Sequence, residues 1–238
     1  MKEVEGRKTF IERFSNGNMS TGNRRKFLKK AGMATAMGAA VMVIGCKEEG
    51  DNISPDAVNL GSGDIGILNY AYALEQLEAA FYIQAVATPY GSMPADELAT
   101  LTDIRDHEII HRDFLKAALG VNAIQALEVN FLEIDFSSRA SVLGTAKVFE
   151  DTGVMAYNGA GKLIKDAGYL LLAGKIVSVE ARHAAAIRDL LAPLSASFAG
   201  DDIIDGNGLD GAKKPSEILV AVQPFIKTKL SGSNLPTS

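Results

Sequence analysis

Two of the three histidines in this 238-residue chain stand three residues after a glutamate, Glu108 before His111 and Glu180 before His183. Each pair is preceded by a glutamate with a tyrosine seven residues on, Glu75 with Tyr82 and Glu150 with Tyr157. The order Glu-x6-Tyr then Glu-x-x-His therefore occurs twice, offset by 75 residues for the first element and 72 for the second. On a helix, positions i and i+3 lie about 60° apart, so each Glu and His can converge on one point. A fold that honours the repeat must bring helices together around four carboxylates and two imidazoles.

The apolar periodicity supplies four such helices. Ile65, Leu68, Tyr72, Glu75, Ala79 and Tyr82 share one stripe of a helix expected over 64–88. A break at Pro89-Tyr90-Gly91-Ser92-Met93-Pro94 precedes a second helix over 95–119, stopped by Gly120. A third is expected over 141–164, with Gly159 and Gly161 weakening or kinking it, and a fourth over 169–191, ending near Pro193. Short loops join the first two and the last two, which forces antiparallel neighbours. The less regular residues 121–138, with an extended piece over 127–131, are long enough to run the length of the bundle. The expected fold is all-α, an antiparallel four-helix bundle over 64–195 with a long crossover between helices 2 and 3. Residues 46–63 read as a linker and 196–238 as an extension, with a loop from Gly200 to Gly211 and a short helix from Pro215 that Pro224 interrupts. An EF-hand reading of Asp201 to Ala212 fails at its third and twelfth positions.

Antiparallel pairing also sets heights. The midpoint of Glu75 and Glu108 falls in the first turn and that of Glu150 and Glu180 in the second, so all four meet in one layer. Burying four carboxylates without compensation is prohibitive. Two divalent cations supply the opposite charge. Core-facing glutamate is itself rare in a soluble helix. Glu78 competes with Glu75 as the first ligand, but only Glu75 keeps the relation to a tyrosine.

With one Glu from each of two helices and Glu-x-x-His from each of the other two, the chain resembles the ferritin-like superfamily of di-iron and di-manganese carboxylate proteins over about 60–195. It is most similar to the secreted ferritin-like domain proteins related to plant desiccation-related proteins; the tail, with Gly208-Leu209-Asp210 and Pro224-Phe225-Ile226, is also similar to that group. The resemblance implies two Fe or Mn ions held by Glu75, Glu108, His111, Glu150, Glu180 and His183, with Glu108 and Glu180 bridging. Tyr82 and Tyr157 would donate hydrogen bonds to the ligands, donate single electrons, or simply pack. A competing motif overlaps: His107-Glu108-Ile109-Ile110-His111 matches the His-Glu-x-x-His of zinc metallopeptidases. That reading leaves Glu150, Glu180, His183 and the repeat unexplained. Under the two-metal reading His107 lies on the surface or behind a ligand.

Charge divides the chain. Residues 1–45 hold nine Lys/Arg and three Asp/Glu, whereas the rest holds 15 and 26, so a net −5 averages a +6 leader and a −11 body. An acidic body excludes a general nucleic-acid binder. Arg24 and Arg25, followed by Lys26-Phe27-Leu28-Lys29 and an uncharged run over 31–45, resemble a twin-arginine export signal. Val43-Ile44-Gly45-Cys46 resembles a bacterial lipobox, which makes the single cysteine a lipid attachment point rather than half of a disulfide. Lys47-Glu48-Glu49 after it resembles the surface-export tag of some Bacteroidota lipoproteins. The expectation is a bacterial, membrane-anchored protein, periplasmic or at the cell surface. It would bind metal and O2 or H2O2, as an oxidase, ferroxidase or peroxide consumer in stress protection. A homodimer is compatible with it. The alternative is a degenerate ferritin-like binding protein whose metal is only structural.

Overall fold

A computed structural model describes residues 56–238, and the export and lipidation motifs with Arg24, Arg25 and Cys46 lie outside the described residues. Four long helices form: α1 (Gly63–Ala87), α2 (Ala95–Leu119), α3 (Arg139–Gly161) and α4 (Ala167–Leu191), followed by the short α5 (Pro215–Val222). Their ends follow local chemistry. Asp96 and Glu97 sit in the first turn of α2 and Lys116 in its last, each matching the sign of the helix dipole. Gly120 ends that helix at φ 55°, a conformation a side chain resists. The Ser138 hydroxyl accepts from the Ser141 N–H to cap α3, and the Asp166 carboxylate accepts from the Gly168 and Tyr169 N–H groups to cap α4.

The expected bundle is present, with α1 packed along α2 and α3 along α4. Of the two glycines expected to weaken α3, Gly159 is passed without a break, whereas the helix stops at Gly161 rather than 164. Gly159 is small because the tail crosses there. A Cβ at this position would lie 1.7 Å from the Lys213 carbonyl oxygen, and the Lys213 N–H donates to the Met155 carbonyl at 3.1 Å.

α1 is the central helix, with 17 of its 25 residues buried against six in α2. Two of its polar side chains hold the crossover. Asn69 Nδ2 donates to the Asn122 carbonyl and its Oδ1 accepts from the Ile124 N–H, while Gln76 Oε1 accepts from the Leu127 N–H. These amides stand in for backbone partners that a buried irregular segment otherwise lacks. The tail closes the other side: β1 (Val58–Asn59) pairs in parallel with β2 (Leu230–Ser231), and Leu60, Ile218, Val222 and Ile226 join the same core as Phe81 and Phe149. The loop after α4 is tied down by Arg188, whose guanidinium donates to both Asp151 and Asp202. Among the described residues no helix is long and apolar enough to cross a membrane.

Candidate metal centre

Each long helix delivers one fully buried glutamate to a single layer: Glu75 from α1, Glu108 from α2, Glu150 from α3 and Glu180 from α4. One turn further along α2 and α4 stand His111 and His183, with side chains 12% and 4% exposed. All six residues singled out by the repeat are thus brought together. Their ligand atoms fall into two groups, Glu75–Glu108–His111–Glu180 and Glu108–Glu150–Glu180–His183, each with its atoms within 4.8 Å of one another. Glu108 and Glu180 belong to both.

The two groups mirror each other. His111 Nδ1 lies 2.9 Å from Glu180 Oε1, 3.5 Å from Glu75 Oε2 and 3.9 Å from Glu108 Oε2. His183 Nδ1 lies 2.8 Å from Glu108 Oε1, 3.5 Å from Glu150 Oε2 and 3.8 Å from Glu180 Oε2. The shortest of these separations suit hydrogen bonds, but the direction of the ring N–H does not: both Nδ1 atoms lack a hydrogen-bond partner. So do both oxygens of Glu108, both of Glu180, and one oxygen each of Glu75 and Glu150. The remaining oxygens of Glu75 and Glu150 are taken by the tyrosines, and reciprocally. Tyr157 on α3 donates to Glu75 Oε1 at 2.5 Å, and Tyr82 on α1 donates to Glu150 Oε1 at 2.5 Å.

Orphaned buried polar atoms are costly, and here they are distributed by role. Two carboxylates have one open oxygen, two have both open, and each imidazole has one open nitrogen. That donor set, hard carboxylates with imidazole, suits Fe, Mn or Zn-like ions, with the doubly open carboxylates able to bridge. The electrostatics agree. Burial raises Glu75 well above the ordinary carboxylate range, and repulsion from Glu180 and Glu108 adds to it. Glu150 is pushed up to about 8, mainly by burial. For His111 and His183 burial acts to lower the pKa, but the facing carboxylates outweigh it and hold each at about 12. Burial raises the Glu108 pKa too, yet contacts with both imidazoles win and hold it at about 2. Without cations, protons on the imidazoles do the compensating.

His107 stands outside both groups. Its Nδ1 lies 2.9 Å from Nε2 of His183, on the side away from the carboxylates. The zinc-motif reading fails on this geometry, because His107 and His111 do not face one point. Instead His107 can fix the tautomer that turns His183 Nδ1 inward. Glu78, discounted in the sequence for lacking the tyrosine relation, is also buried at the centre, 4% exposed. The repeat does not mark it, because the 75-residue offset places Glu78 on Gly153. One end of the bundle beyond this layer holds an apolar cavity lined by Leu68, Ala71, Phe114, Ile176 and Tyr157, the last being the donor to Glu75.

A family model described as a ferritin-like domain matches residues 63–193, more than half of the chain. No curated protein matches the sequence.

Proposed function

The chain belongs to the ferritin-like domain family, and on that footing we propose that it holds two Fe or Mn ions in the buried layer and uses them on O2 or H2O2. The observation that carries the reading is the pattern of orphaned ligand atoms: eight buried oxygens and nitrogens from six residues, converging with no hydrogen-bond partner. Glu75 and His111 would hold one ion, Glu150 and His183 the other, and Glu108 and Glu180 would bridge. The four carboxylates balance two divalent cations in charge, which removes the main cost of burying them. The ions would supply reversible electron transfer to a small oxidant.

The protein's own residues do the rest. Tyr82 and Tyr157 each hold one oxygen of a terminal carboxylate and leave the other for the metal. His107 orients His183 from behind. Burial of the layer excludes bulk water, and the apolar cavity beside Tyr157 favours entry of an uncharged small molecule such as O2 over an ion. We further propose export through the Arg24–Arg25 signal and lipid anchoring at Cys46, so that the protein works as a membrane-tethered oxidase or peroxide consumer. Two acyl chains would make that anchoring stable where one gives only marginal binding. Folded export is compatible with metal insertion before transport.

Metal analysis of the natively exported protein, with Fe(II) oxidation by O2 and by H2O2 on the same sample, tests the reading. Two Fe or Mn per chain and turnover lost in Glu108→Ala are expected. A protein purified and reconstituted without either metal bound overturns it, and two metals without turnover would leave the structural role instead. Cys46→Ala should release the protein from membranes; full retention would sink the anchor.

A further inference from the structure

The two halves of the bundle differ in what they pack beside the ligand layer. In the first half Phe81 on α1 is fully buried, its ring edge-on to Phe149 on α3 at 5.2 Å and to Tyr82 at 5.1 Å. The 75-residue offset carries Phe81 to Ala156 and Phe149 back to Leu74, so the equivalent space on the other side lacks both rings. Ala156 and Leu74 line the apolar cavity, which is left where those rings would stand. Of the tyrosines in its wall, Tyr157 is committed to Glu75 and Tyr169 is half-buried. Tyr70 differs from both: it is 1% exposed, and its hydroxyl has no hydrogen-bond partner. The offset carries Tyr70 to Thr145, so this ring belongs to the cavity side alone. Burial, with the Glu78 carboxylate adding to it, pushes the Tyr70 pKa up, and the group is a neutral phenol that can donate or accept.

A buried hydroxyl without a partner is costly, and an occupant of the cavity can supply one. Water suits the site poorly, because a buried water needs about three polar partners and the wall is otherwise aliphatic or aromatic. O2 can pass but leaves the hydroxyl unpaired. A molecule with one oxygen on an apolar body meets both demands: the oxygen pairs with Tyr70, and the body takes the place of the missing rings. The enclosed volume is about 30 Å3, room for about two or three heavy atoms. Phe114 and Ala118 in the wall are exposed, so a longer body can extend outward between α2 and α4. No charged side chain lines the space, which selects a neutral molecule. We propose that this cavity is a binding site for a small neutral organic molecule with one hydrogen-bonding oxygen, a short-chain alcohol or carbonyl compound, anchored by Tyr70. The site shares only Tyr157 with the ligand layer and stands whether or not that layer holds metal.

Titration of the full-length protein, carrying 3-fluorotyrosine, with 1-propanol tests this by fluorine NMR. The Tyr70 and Tyr157 signals, each identified by its loss in the matching phenylalanine variant, should shift saturably with a Kd on the order of 1 mM. In Tyr70→Phe the Tyr157 signal should still saturate, at a concentration roughly 10-fold higher, because one hydrogen bond is lost. Ala156→Phe supplies the ring that the first half has and should abolish the shifts. Ala156→Val fills less of the space, should weaken binding in the same direction, and decides the matter should the larger variant fail to fold. A Tyr70 signal that stays in place under 1-propanol overturns the assignment. So does binding to Tyr70→Phe as tight as to the wild type, or binding that survives unchanged when Ala156 is enlarged.

Discussion

In the first hairpin the residue one turn after the terminal glutamate is Glu78; in the second it is Gly153. Behind the second hairpin's histidine stands His107, whereas the position 72 residues on from His107 is Val179. α1 is buried nearly all round beneath the crossover and the tail, while its counterpart α3 meets the tail along one side only, at Phe149, Met155, Asn158 and Gly159. Yet the two Glu–Tyr bonds and the two sets of imidazole–carboxylate distances are nearly equal. The halves have kept in common what must converge on shared atoms and have diverged wherever their surroundings differ. Symmetry here is a property of the ligand layer, not of the bundle.

The largest effects should come from the residues the halves share. Glu108→Ala and Glu180→Ala each remove a carboxylate common to both groups, so each should abolish binding of the pair and cut turnover at least 100-fold, on the scale of losing a metal site. Retention of one tightly bound ion in either variant, by elemental analysis, would show that the bridges are not equivalent. Next comes a position the halves do not share. Gly159→Ala drives a Cβ into the Lys213 carbonyl, and should destabilise by about 3 kcal/mol or more because backbone must move. The matching position in α1, Gln84, is exposed, and its alanine variant should melt like the wild type. Thermal melts of the pair check this directly.

The layer and the bundle were legible in the sequence because both rest on spacing. Residues three apart share a helix face wherever they occur, and antiparallel pairing fixes heights by counting from the turn, so the six ligand candidates could be named from 75, 108, 111, 150, 180 and 183 alone. What the sequence hid depends on which atoms meet across helices. Nothing in Gly159 distinguishes a helix breaker from a crossing point until Lys213 is placed over it. Reciprocity of the tyrosines, each serving the other half's glutamate, needs the α1–α3 geometry. Glu78 ranks behind Glu75 in the sequence because only Glu75 keeps the relation to a tyrosine, and the counterpart of Glu78 in the repeat is a glycine. Asn69 and Gln76 look like ordinary polar residues in a helix until the crossover lies over them.

A smaller and matched effect belongs to the tyrosines. Tyr82→Phe and Tyr157→Phe each remove one hydrogen bond to a buried carboxylate, which costs about 1.5–3 kcal/mol when the acceptor is charged. Equal losses in the metal-bound protein would extend the symmetry from geometry to energy. If Tyr82→Phe costs clearly more, the Glu150 side leans harder on its donor than the Glu75 side does. Chemical denaturation with saturating Mn2+ distinguishes the two outcomes.

The subtlest expectation concerns pH, and its sign is unusual. Glu150 is held at about 8 against an ordinary 4.5, so between these values the folded, metal-free protein keeps a proton that the unfolded chain has released. His111 and His183, held at about 12 against 6.5, do the same above pH 6.5. A folded state that binds more protons loses stability as pH rises. Glu108, lowered to about 2, works the other way, but its contribution is complete above its ordinary value and fades only in acid. The metal-free protein should therefore melt at progressively lower temperature from pH 5 to pH 8. Bound cations displace those protons, and metal affinity rises with pH because the ligands must be deprotonated. The gap in melting temperature between metal-bound and chelated protein should widen over the same range. A chelated protein whose melting temperature stays level or climbs between pH 5 and 8 would mean that the imidazoles do not carry the compensating charge in either half of the layer.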